Sequence, residues 1–197
     1  IYMATVIGLR DYVSKNNFPG VILGLSGGID SAFCAVVAVD ALGKDKVEAY
    51  MLPSTYTSEN STIDAEDCAN RLEINLETIS ISDTFLSLEE SLKASFEGLP
   101  NDITEENLQS RIRGTILMAI SNKKGKMLIT TGNKSEVSVG YSTLYGDMNG
   151  GFNPIKDIYK TELYALANWR NNNLPNNILL DKKDVIPSSI ISKEPTA

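Results

Sequence analysis

The chain has 197 residues, of which 42% are hydrophobic and 22% are charged, as in an ordinary globular domain. Its 18 basic and 25 acidic residues give a net charge of -7, which argues against nucleic acid or an anionic membrane as a general partner. It contains no histidine, which excludes a Ser-His-Asp triad and histidine-ligated zinc within the chain.

The spacing of apolar residues predicts helices and strands that alternate along the chain. The predicted helices cover residues 2–15, 32–42, 61–72, 84–96 and 158–170, and a further helix begins at Thr104. The predicted strands cover residues 21–25, 47–52, 74–81 and 127–131. Ser61 and Thr104 are the predicted N-caps of their helices, and the glycine-rich residues 140–153 are a predicted loop.

This alternation predicts an α/β fold, a parallel twisted sheet with helices on both faces. In such sheets, ligands bind beyond the carboxyl ends of the strands. The segments 26–31 and 131–136 both follow predicted strands directly. We therefore expect them to lie on the same edge of the sheet.

The cysteines and the hydropathy pattern indicate in which cellular compartment the protein is expected. Cys34 and Cys68 lie in segments predicted to be helical and do not form a CxxC motif. Buried thiols are therefore expected, rather than a disulfide or a metal site. No apolar stretch is long enough to span a bilayer, and no signal peptide is recognised. We expect a cytoplasmic protein without a membrane partner.

The segment 26–31, SGGIDS, lies between an apolar strand and a helix. Its two glycines allow the backbone to approach an anion, and the N–H groups at the start of the helix can bind phosphate. Ser26 and Ser31 add hydroxyl donors. Asp30 would repel phosphate unless Mg²⁺, which binds carboxylate and phosphate oxygens together, lies between them. The segment predicts a loop for a Mg²⁺-bound polyphosphate, with a tight strand-to-helix turn as the alternative.

The SGGxDS pattern resembles the pyrophosphate loop of the ATP pyrophosphatase superfamily. Three other segments resemble NAD synthetases, and in particular the synthetase domain of the glutamine-dependent members. They are ENLQSRIRG (106–114), TTGNKSEVSVGYSTLYGD (130–147) and NPIKDIYKTELYALANWR (153–170). The resemblance covers the whole chain and implies one domain, 1–197, with the Rossmann-like ATP pyrophosphatase fold.

The resemblance also implies a reaction and its components. ATP adenylates the nicotinate carboxylate of deamido-NAD and releases pyrophosphate, and ammonia then displaces AMP to give the amide. The implied cofactors are ATP and Mg²⁺, the substrates are deamido-NAD and ammonia, and the assembly is a homodimer. Members of the family continue beyond a KxPTA-like segment, and glutamine-dependent members carry a nitrilase-like glutaminase domain before the synthetase domain. We therefore expect this chain to be part of a longer protein.

Site residues are implied by position within the matching segments. The implied nucleotide-binding residues are Gly24, Leu25, Ser26, Gly27, Gly28, Ile29, Asp30, Ser31, Thr131, Lys160 and Thr196. The implied substrate-binding residues are Asn107, Arg111, Glu136 and Asp147. The implied metal ligands are Asp30 and Glu136, and the implied catalytic residues are Asp30, Lys160 and Asp147.

Structural interpretations of these residues are also open. Glu136 fits a carboxylate at the start of a helix, and Asp147 fits turn chemistry. Lys160 and Arg111 fit solvated charges on amphipathic helices. Only their occurrence together in matching motifs favours the functional interpretation.

Two other functions are compatible with the phosphate loop. One is another pyrophosphatase, such as GMP synthetase or a tRNA-thiolating enzyme, although the net charge disfavours tRNA. The other is a nucleotide-binding module without catalysis, which the presence of Asp30 and Glu136 disfavours. Leu144 stands where ammonia-dependent NAD synthetases usually carry a lysine, which favours the glutamine-dependent branch.

Overall fold

The computed structural model of the chain describes residues 1–193, in which four parallel strands form a sheet in the order β3-β2-β1-β4. The strands are β1 (Val21–Gly24), β2 (Val47–Met51), β3 (Asn75–Thr78) and β4 (Met127–Leu128). The helices are α1 (Tyr2–Lys15), α2 (Ile29–Leu42), α3 (Glu59–Leu72), α4 (Ser82–Leu92), α5 (Ile103–Lys124), α6 (Lys134–Val139), α7 (Lys160–Asn172) and α8 (Ser188–Ser192). The α/β architecture predicted from the sequence is confirmed. Within residues 1–193, no helix is both long and apolar enough to cross a membrane.

Two apolar cores cover the two faces of the sheet. Val21 and Leu23 of β1 belong to the larger core, beneath α1, α2, α3, α7 and α8, whereas Ile22 belongs to the smaller core beneath α4 and α5. Successive side chains of a strand point to opposite faces. A strand buried on both faces must be apolar at every position, which explains the uninterrupted apolar run at 21–25.

Several elements begin or end away from their predicted positions. α2 begins at Ile29 rather than at residue 32, so its first turn contains Asp30. β4 ends at Leu128, and the next residue, Ile129, forms an isolated bridge to Phe152, within the predicted loop 140–153. The other observed bounds are Asn75–Thr78 for the strand predicted at 74–81, Ser82–Leu92 for the helix at 84–96, and Lys160–Asn172 for the helix at 158–170. α6 was not predicted.

Both predicted N-caps are wrong. Ser58 begins α3, because its Oγ accepts a hydrogen bond from the N–H of Ser61 at 3.2 Å. Asp102 begins α5, because its Oδ1 accepts from the N–H of Thr104 at 2.8 Å, while Glu105 accepts from the N–H of Asp102 at 2.8 Å. Ser61 and Thr104 instead lie inside the first turn of their helices. There the backbone N–H of each residue has no partner within the helix and is bound by the capping side chain.

The strand order reverses at β1. This strand pairs with β2 on one side and with β4 on the other, so a crevice forms beyond the carboxyl ends of β1 and β4. The segments that follow these two strands meet there, since Nδ2 of Asn133 donates to Oδ1 of Asp30 at 2.7 Å. The prediction that 26–31 and 131–136 share one edge of the sheet is confirmed.

A buried ion pair joins α2 to α7. Arg170 is fully buried, and its guanidinium donates to both carboxylate oxygens of Asp40, at 2.7 and 3.0 Å. It also donates to the carbonyls of Leu180 and Lys182, at 3.2 and 2.9 Å. The hydroxyl of Tyr2 donates to Asp40 at 2.5 Å, and burial together with the charge of Asp40 raises the pKa of Tyr2. The ion pair therefore lies in a hydrogen-bonded network.

We expect the substitution Arg170→Met to lower the free energy of unfolding by about 3–5 kcal/mol, because it leaves the Asp40 carboxylate buried without a counter-ion. Urea denaturation followed by circular dichroism measures this change. Adding Asp40→Leu to the same variant should recover part of the loss, because it removes the unpaired charge but leaves the hydroxyl of Tyr2 and the carbonyls of Leu180 and Lys182 without these partners. Lys15→Met removes an exposed ion pair with Asp11 and should change little. A loss below about 1 kcal/mol for Arg170→Met would contradict the prediction.

Candidate active site

The loop Leu25–Gly28 joins β1 to α2 at the reversal of strand order. Gly27 has a φ of +78°, and a Cβ at this position would collide with the carbonyl oxygen of Ser61 in α3. Glycine is therefore required both by the backbone conformation and by the close approach of α3. The side chains of Leu25 and Ile29 belong to the larger core, so only their backbone atoms can face a ligand.

Hydroxyl and backbone N–H groups converge at this loop. The Oγ atoms of Ser26 and Ser31 lie 3.1 Å apart, and Ser31 also donates to the carbonyl of Gly28 at 3.0 Å. The N–H of Gly28 donates to Oγ of Ser26 at 3.3 Å. α2 begins at the same place, with the positive end of its dipole and its unpaired N–H groups. These features are those of a phosphate-binding loop.

A cluster of charged and polar side chains lies beside the loop. Lys160, the first residue of α7, forms an ion pair with Oδ2 of Asp30, and its Nζ lies 3.8 Å from Oε1 of Glu136. Glu136 also forms a capping box with Asn133 at the start of α6. Asp30, Glu136 and Lys160 come from three separate motifs and meet at one point. Glu136 is thus both a helix-start carboxylate and a member of this cluster.

The two carboxylates of the cluster affect each other. Burial, and then the negative charge of Asp30, raises the pKa of Glu136, while its hydrogen bond from the backbone of Asn133 and the charge of Lys160 lower it. The net direction is upward, so the ionised form of Glu136 is less favoured than in water. A further cation beside the pair would favour the ionised form.

Asp30 and Glu136 fit the requirements of Mg²⁺. This ion is commonly bound by one or two carboxylates together with phosphate oxygens and water. Oε1 of Glu136 accepts no hydrogen bond from residues 1–193 and could contact an ion. The described part of the chain has no group of three or more acidic or cysteine side chains that could hold a metal alone. A metal here would therefore take its remaining ligands from phosphate or water.

Two cavities open on either side of the loop. One, of about 530 Å³, is lined in part by Glu136 and Phe152. The other, of about 690 Å³, is lined in part by Pro53 and Arg113. Four residues line both cavities: Ser26, Ser31, Thr131 and Asp147. Ligands in the two cavities could therefore meet at the phosphate loop.

Asn107 and Arg111 lie one turn apart on α5 and contact the loop 140–153. Oδ1 of Asn107 accepts from the hydroxyl of Thr143 at 2.7 Å, and Nε of Arg111 donates to the carbonyl of Leu144 at 3.2 Å. Neither residue lines either of the two cavities. The structure therefore separates them from the phosphate loop, and their contact with a substrate stays a prediction.

Asp147 forms hydrogen bonds within the loop 140–153 and also lines both cavities. Its Oδ1 accepts from the N–H of Thr143 at 2.8 Å, and its own N–H donates to Oγ of Ser110 at 3.0 Å. Burial raises the pKa of its carboxyl group. The hydrogen bonds fit the turn interpretation, and contact of Asp147 with a substrate stays a prediction. Thr196, predicted to bind nucleotide, lies outside the residues that the structure describes.

Three residues at the site were not predicted from the sequence: Asn133, Arg113 and Lys193. Asn133 precedes Glu136 by three positions, a capping-box spacing that could have predicted α6. Arg113 donates from Nε to the carbonyl of Leu52 at 2.9 Å, and burial lowers its pKa. Arg113 and Lys193 both line the larger cavity. No spacing pattern marks these two residues, because their neighbours in space are distant in sequence.

A phosphate loop at the reversal of a parallel sheet, with two carboxylates and a lysine beside it, is the arrangement of an α/β nucleotide-binding protein. The family model described as NAD synthase matches residues 1–197. The chain therefore belongs to the NAD synthase family, which confirms the resemblance seen in its sequence motifs.

Named relatives agree with this assignment. The glutamine-dependent NAD(+) synthetase of Rhodobacter capsulatus is 53% identical over 100% of this chain and 36% of its own length. The structure of glutamine-dependent NAD+ synthetase from Acinetobacter baumannii in complex with ADP has a TM-score of 0.92 and 48% identity, covering 100% of this chain and 36% of that chain. The NH3-dependent NAD synthetase from Campylobacter jejuni has a TM-score of 0.79 and 32% identity, covering 86% of this chain and 72% of that chain. The chain spans about a third of the length of the glutamine-dependent relatives.

Proposed function

We propose that the protein activates the nicotinate carboxylate of deamido-NAD with ATP, and then amidates it with ammonia to give NAD, AMP and pyrophosphate. The observation that carries this proposal is the cluster of Asp30, Glu136 and Lys160 beside a phosphate loop that borders two cavities. One cavity would hold the nucleoside of ATP and the other the nicotinate end of the second substrate. The names of the relatives and the ADP in the A. baumannii structure support this assignment.

The proposed first step requires positioning and charge neutralisation rather than a base. A nicotinate carboxylate is already ionised at neutral pH, so it can attack the α-phosphorus without losing a proton. The bond from the carboxylate oxygen to phosphorus forms as the bond to pyrophosphate breaks. The absence of histidine from the chain is consistent with this chemistry. Lys160 would neutralise charge that develops on the phosphates.

Asp30 and Glu136 would hold Mg²⁺ against the phosphates of ATP. The bound ion would neutralise phosphate charge and orient the nucleotide. The backbone of Leu25–Gly28 and the hydroxyls of Ser26 and Ser31 would hold the pyrophosphate portion. In this assignment the chain's own residues fix the phosphates on one side and leave the other side open to the incoming carboxylate.

The remaining site residues would divide between the two substrates. Thr131 lines both cavities and would contact ATP, and Thr196 is assigned to ATP by its motif alone. Asp147 would lie near the nicotinate end. Asn107 and Arg111 would contact deamido-NAD, directly or through the loop 140–153 that they bind.

We also propose that the chain is the synthetase domain of a longer polypeptide with a nitrilase-like glutaminase domain, and that it forms a homodimer. The relatives named glutamine-dependent are about three times as long. The segment 137–148 carries exposed apolar side chains, including Val139, Leu144 and Tyr145, which are 79%, 64% and 76% exposed. A second copy of the chain would cover such a surface.

The reaction is tested by measuring AMP and pyrophosphate in parallel, with ATP, Mg²⁺, ammonium and one candidate acceptor. Release of both products with deamido-NAD, together with formation of NAD, is the expected result. Release with xanthosine monophosphate instead would assign the chain to the GMP synthetase type. Nucleotide binding without release of either product would support a non-catalytic module.

We expect the synthetase domain alone to use ammonium and not glutamine. Glutamine hydrolysis requires a nucleophile such as a cysteine thiolate. Cys34 and Cys68 are both buried, and burial raises the pKa of Cys34 well above its usual value and that of Cys68 to about 12. Both thiols are therefore protonated at neutral pH. NAD formation should rise with pH at fixed total ammonium, because only neutral ammonia is nucleophilic.

This expectation is checked by assaying NAD formation with glutamine after rigorous removal of ammonium. The double variant Cys34→Ser, Cys68→Ser is the control and should keep its ammonium-dependent activity. Efficient use of glutamine by the domain alone, lost in the double variant, would contradict the assignment.

A further inference from the structure

Asn133 is a fully buried amide at the start of α6 that bonds through all of its polar atoms. Its Nδ2 donates to Oδ1 of Asp30 at 2.7 Å, and its Oδ1 accepts from the N–H of Glu136 at 3.1 Å. Its backbone N–H donates to Oε2 of Glu136 at 3.1 Å, and its carbonyl accepts from the N–H of Val137 at 3.2 Å. One residue thus contacts both carboxylates of the charged cluster.

The orientation of this side-chain amide is fixed by its partners. If the amide were reversed, its carbonyl oxygen would face a carboxylate oxygen of Asp30, and its NH₂ group would face the N–H of Glu136. Both contacts would be repulsive, because acceptor would meet acceptor and donor would meet donor. The hydrogen-bond network therefore requires that Nδ2 points to Asp30.

These bonds select which carboxylate oxygens remain for a cation. The side-chain amide of Asn133 binds Oδ1 of Asp30, and its backbone N–H binds Oε2 of Glu136. The other oxygens, Oδ2 of Asp30 and Oε1 of Glu136, both face Nζ of Lys160. The two carboxylates repel each other, and the bonds from Asn133 hold them in place together with the ammonium group of Lys160, which faces both. The two oxygens that Asn133 does not bind therefore face one common position, which the ammonium group of Lys160 takes in this structure.

We infer that Asn133 is a positioning residue that holds Asp30 and Glu136 at the spacing needed to bind a divalent cation with the phosphates of a nucleotide. This inference rests on the proposed function, since it takes Mg²⁺ and ATP as the ligands. Asn133 touches neither ligand in this arrangement and acts through the two carboxylates. Loss of such a supporting hydrogen bond typically weakens metal affinity by about 10–100-fold.

The substitution Asn133→Ser separates this role from helix capping. Serine is a good N-cap and keeps an acceptor for the N–H of Glu136, but its side chain is too short to reach Asp30. The affinity of the full-length polypeptide for α,β-methylene-ATP is measured by calorimetry over a range of Mg²⁺ concentrations. We expect the apparent affinity for Mg²⁺ in the nucleotide complex to fall about tenfold or more, with nucleotide affinity in the absence of Mg²⁺ unchanged.

Two further variants complete the test. Asn171→Ser removes side-chain hydrogen bonds to Ile186 away from the loop and should keep the Mg²⁺ response of the wild type. In an Asp30→Asn background, Asn133→Ser should have little additional effect on the Mg²⁺ response, because the pair acts as one unit. If Asn133→Ser does not fold, Asn133→Thr keeps a capping hydroxyl and restores part of the lost volume.

A folded Asn133→Ser or Asn133→Thr variant with the Mg²⁺ response of the wild type would overturn the inference and leave Asn133 as a helix cap. A wild type whose nucleotide affinity does not depend on Mg²⁺ would overturn it as well. Because this readout needs no turnover, it is separate from the reaction assay. Failure to form AMP from ATP in the presence of deamido-NAD and ammonium would reject the proposed reaction, whereas a changed Mg²⁺ response in the variant would still stand.

Discussion

The Asp30→Asn variant is expected to release no measurable pyrophosphate, a loss of more than about a thousandfold, while its fold stays intact. Asparagine has nearly the same shape but lacks the negative charge that Mg²⁺ requires, and it leaves Lys160 without its closest counter-ion. The side chain of Asp30 is 17% exposed and lies outside the apolar cores, so its replacement should not disturb packing.

Pyrophosphate release at saturating Mg²⁺, together with circular dichroism and thermal unfolding, measures both parts of this expectation. Asp83→Asn is a matched control, because Asp83 is also an aspartate in the first turn of a helix but is exposed on α4. Turnover of ATP by Asp30→Asn near the rate of the parent would show that the assigned role is wrong.

The Lys160→Ala variant is expected to lower kcat for adenylation by about 100–1,000-fold, with a much smaller rise in KM for ATP. Lys160 is only 25% exposed, and its ammonium group faces both carboxylates of the cluster. A cation that meets charge developing in the transition state affects kcat more than ground-state binding. The backbone N–H of Lys160 donates to Oγ of Ser135 at 3.0 Å, and this bond survives the substitution.

Pre-steady-state measurement of pyrophosphate release separates adenylation from the later amidation. Lys123→Ala, which removes an exposed lysine in the last turn of α5, is the control for loss of charge. An increase in KM with unchanged kcat would instead assign Lys160 to ordinary ground-state binding of ATP.

The sheet and the phosphate loop could be predicted because their signals are local. The strands at 21–25 and 47–52 are short apolar runs, and their alternation with helical spacing determines a parallel sheet. The reversal of strand order at β1 was not predicted, but the shared edge of 26–31 and 131–136 follows from any parallel arrangement. The roles of individual residues came from the resemblance to a family rather than from spacing.

Apart from α6, whose capping-box spacing is a local signal, the features that escaped prediction depend on tertiary contacts. Ser58 and Ser61 are equally good cap residues in isolation, and only the path of the chain before α3 decides between them. α6 has six residues, too few for a periodic pattern. The neighbours of Arg113 and Lys193 at the larger cavity come from distant parts of the chain. No local pattern could have placed either residue at the site.

The buried pair of Asp40 and Arg170 has a consequence for the distant end of the same two helices. Asp30 and Asp40 lie ten residues apart on α2, and Lys160 and Arg170 lie ten residues apart on α7. The two helices therefore run in the same direction, and an ion pair joins them near each end. The two ion pairs are about 15 Å apart along the helix axes. The hidden pair fixes how far one helix can slide along the other, and so sets the distance between the ammonium of Lys160 and the carboxylate of Asp30. The distance between the charges at the phosphate loop therefore depends on an ion pair at the opposite end of the two helices, which is buried from solvent.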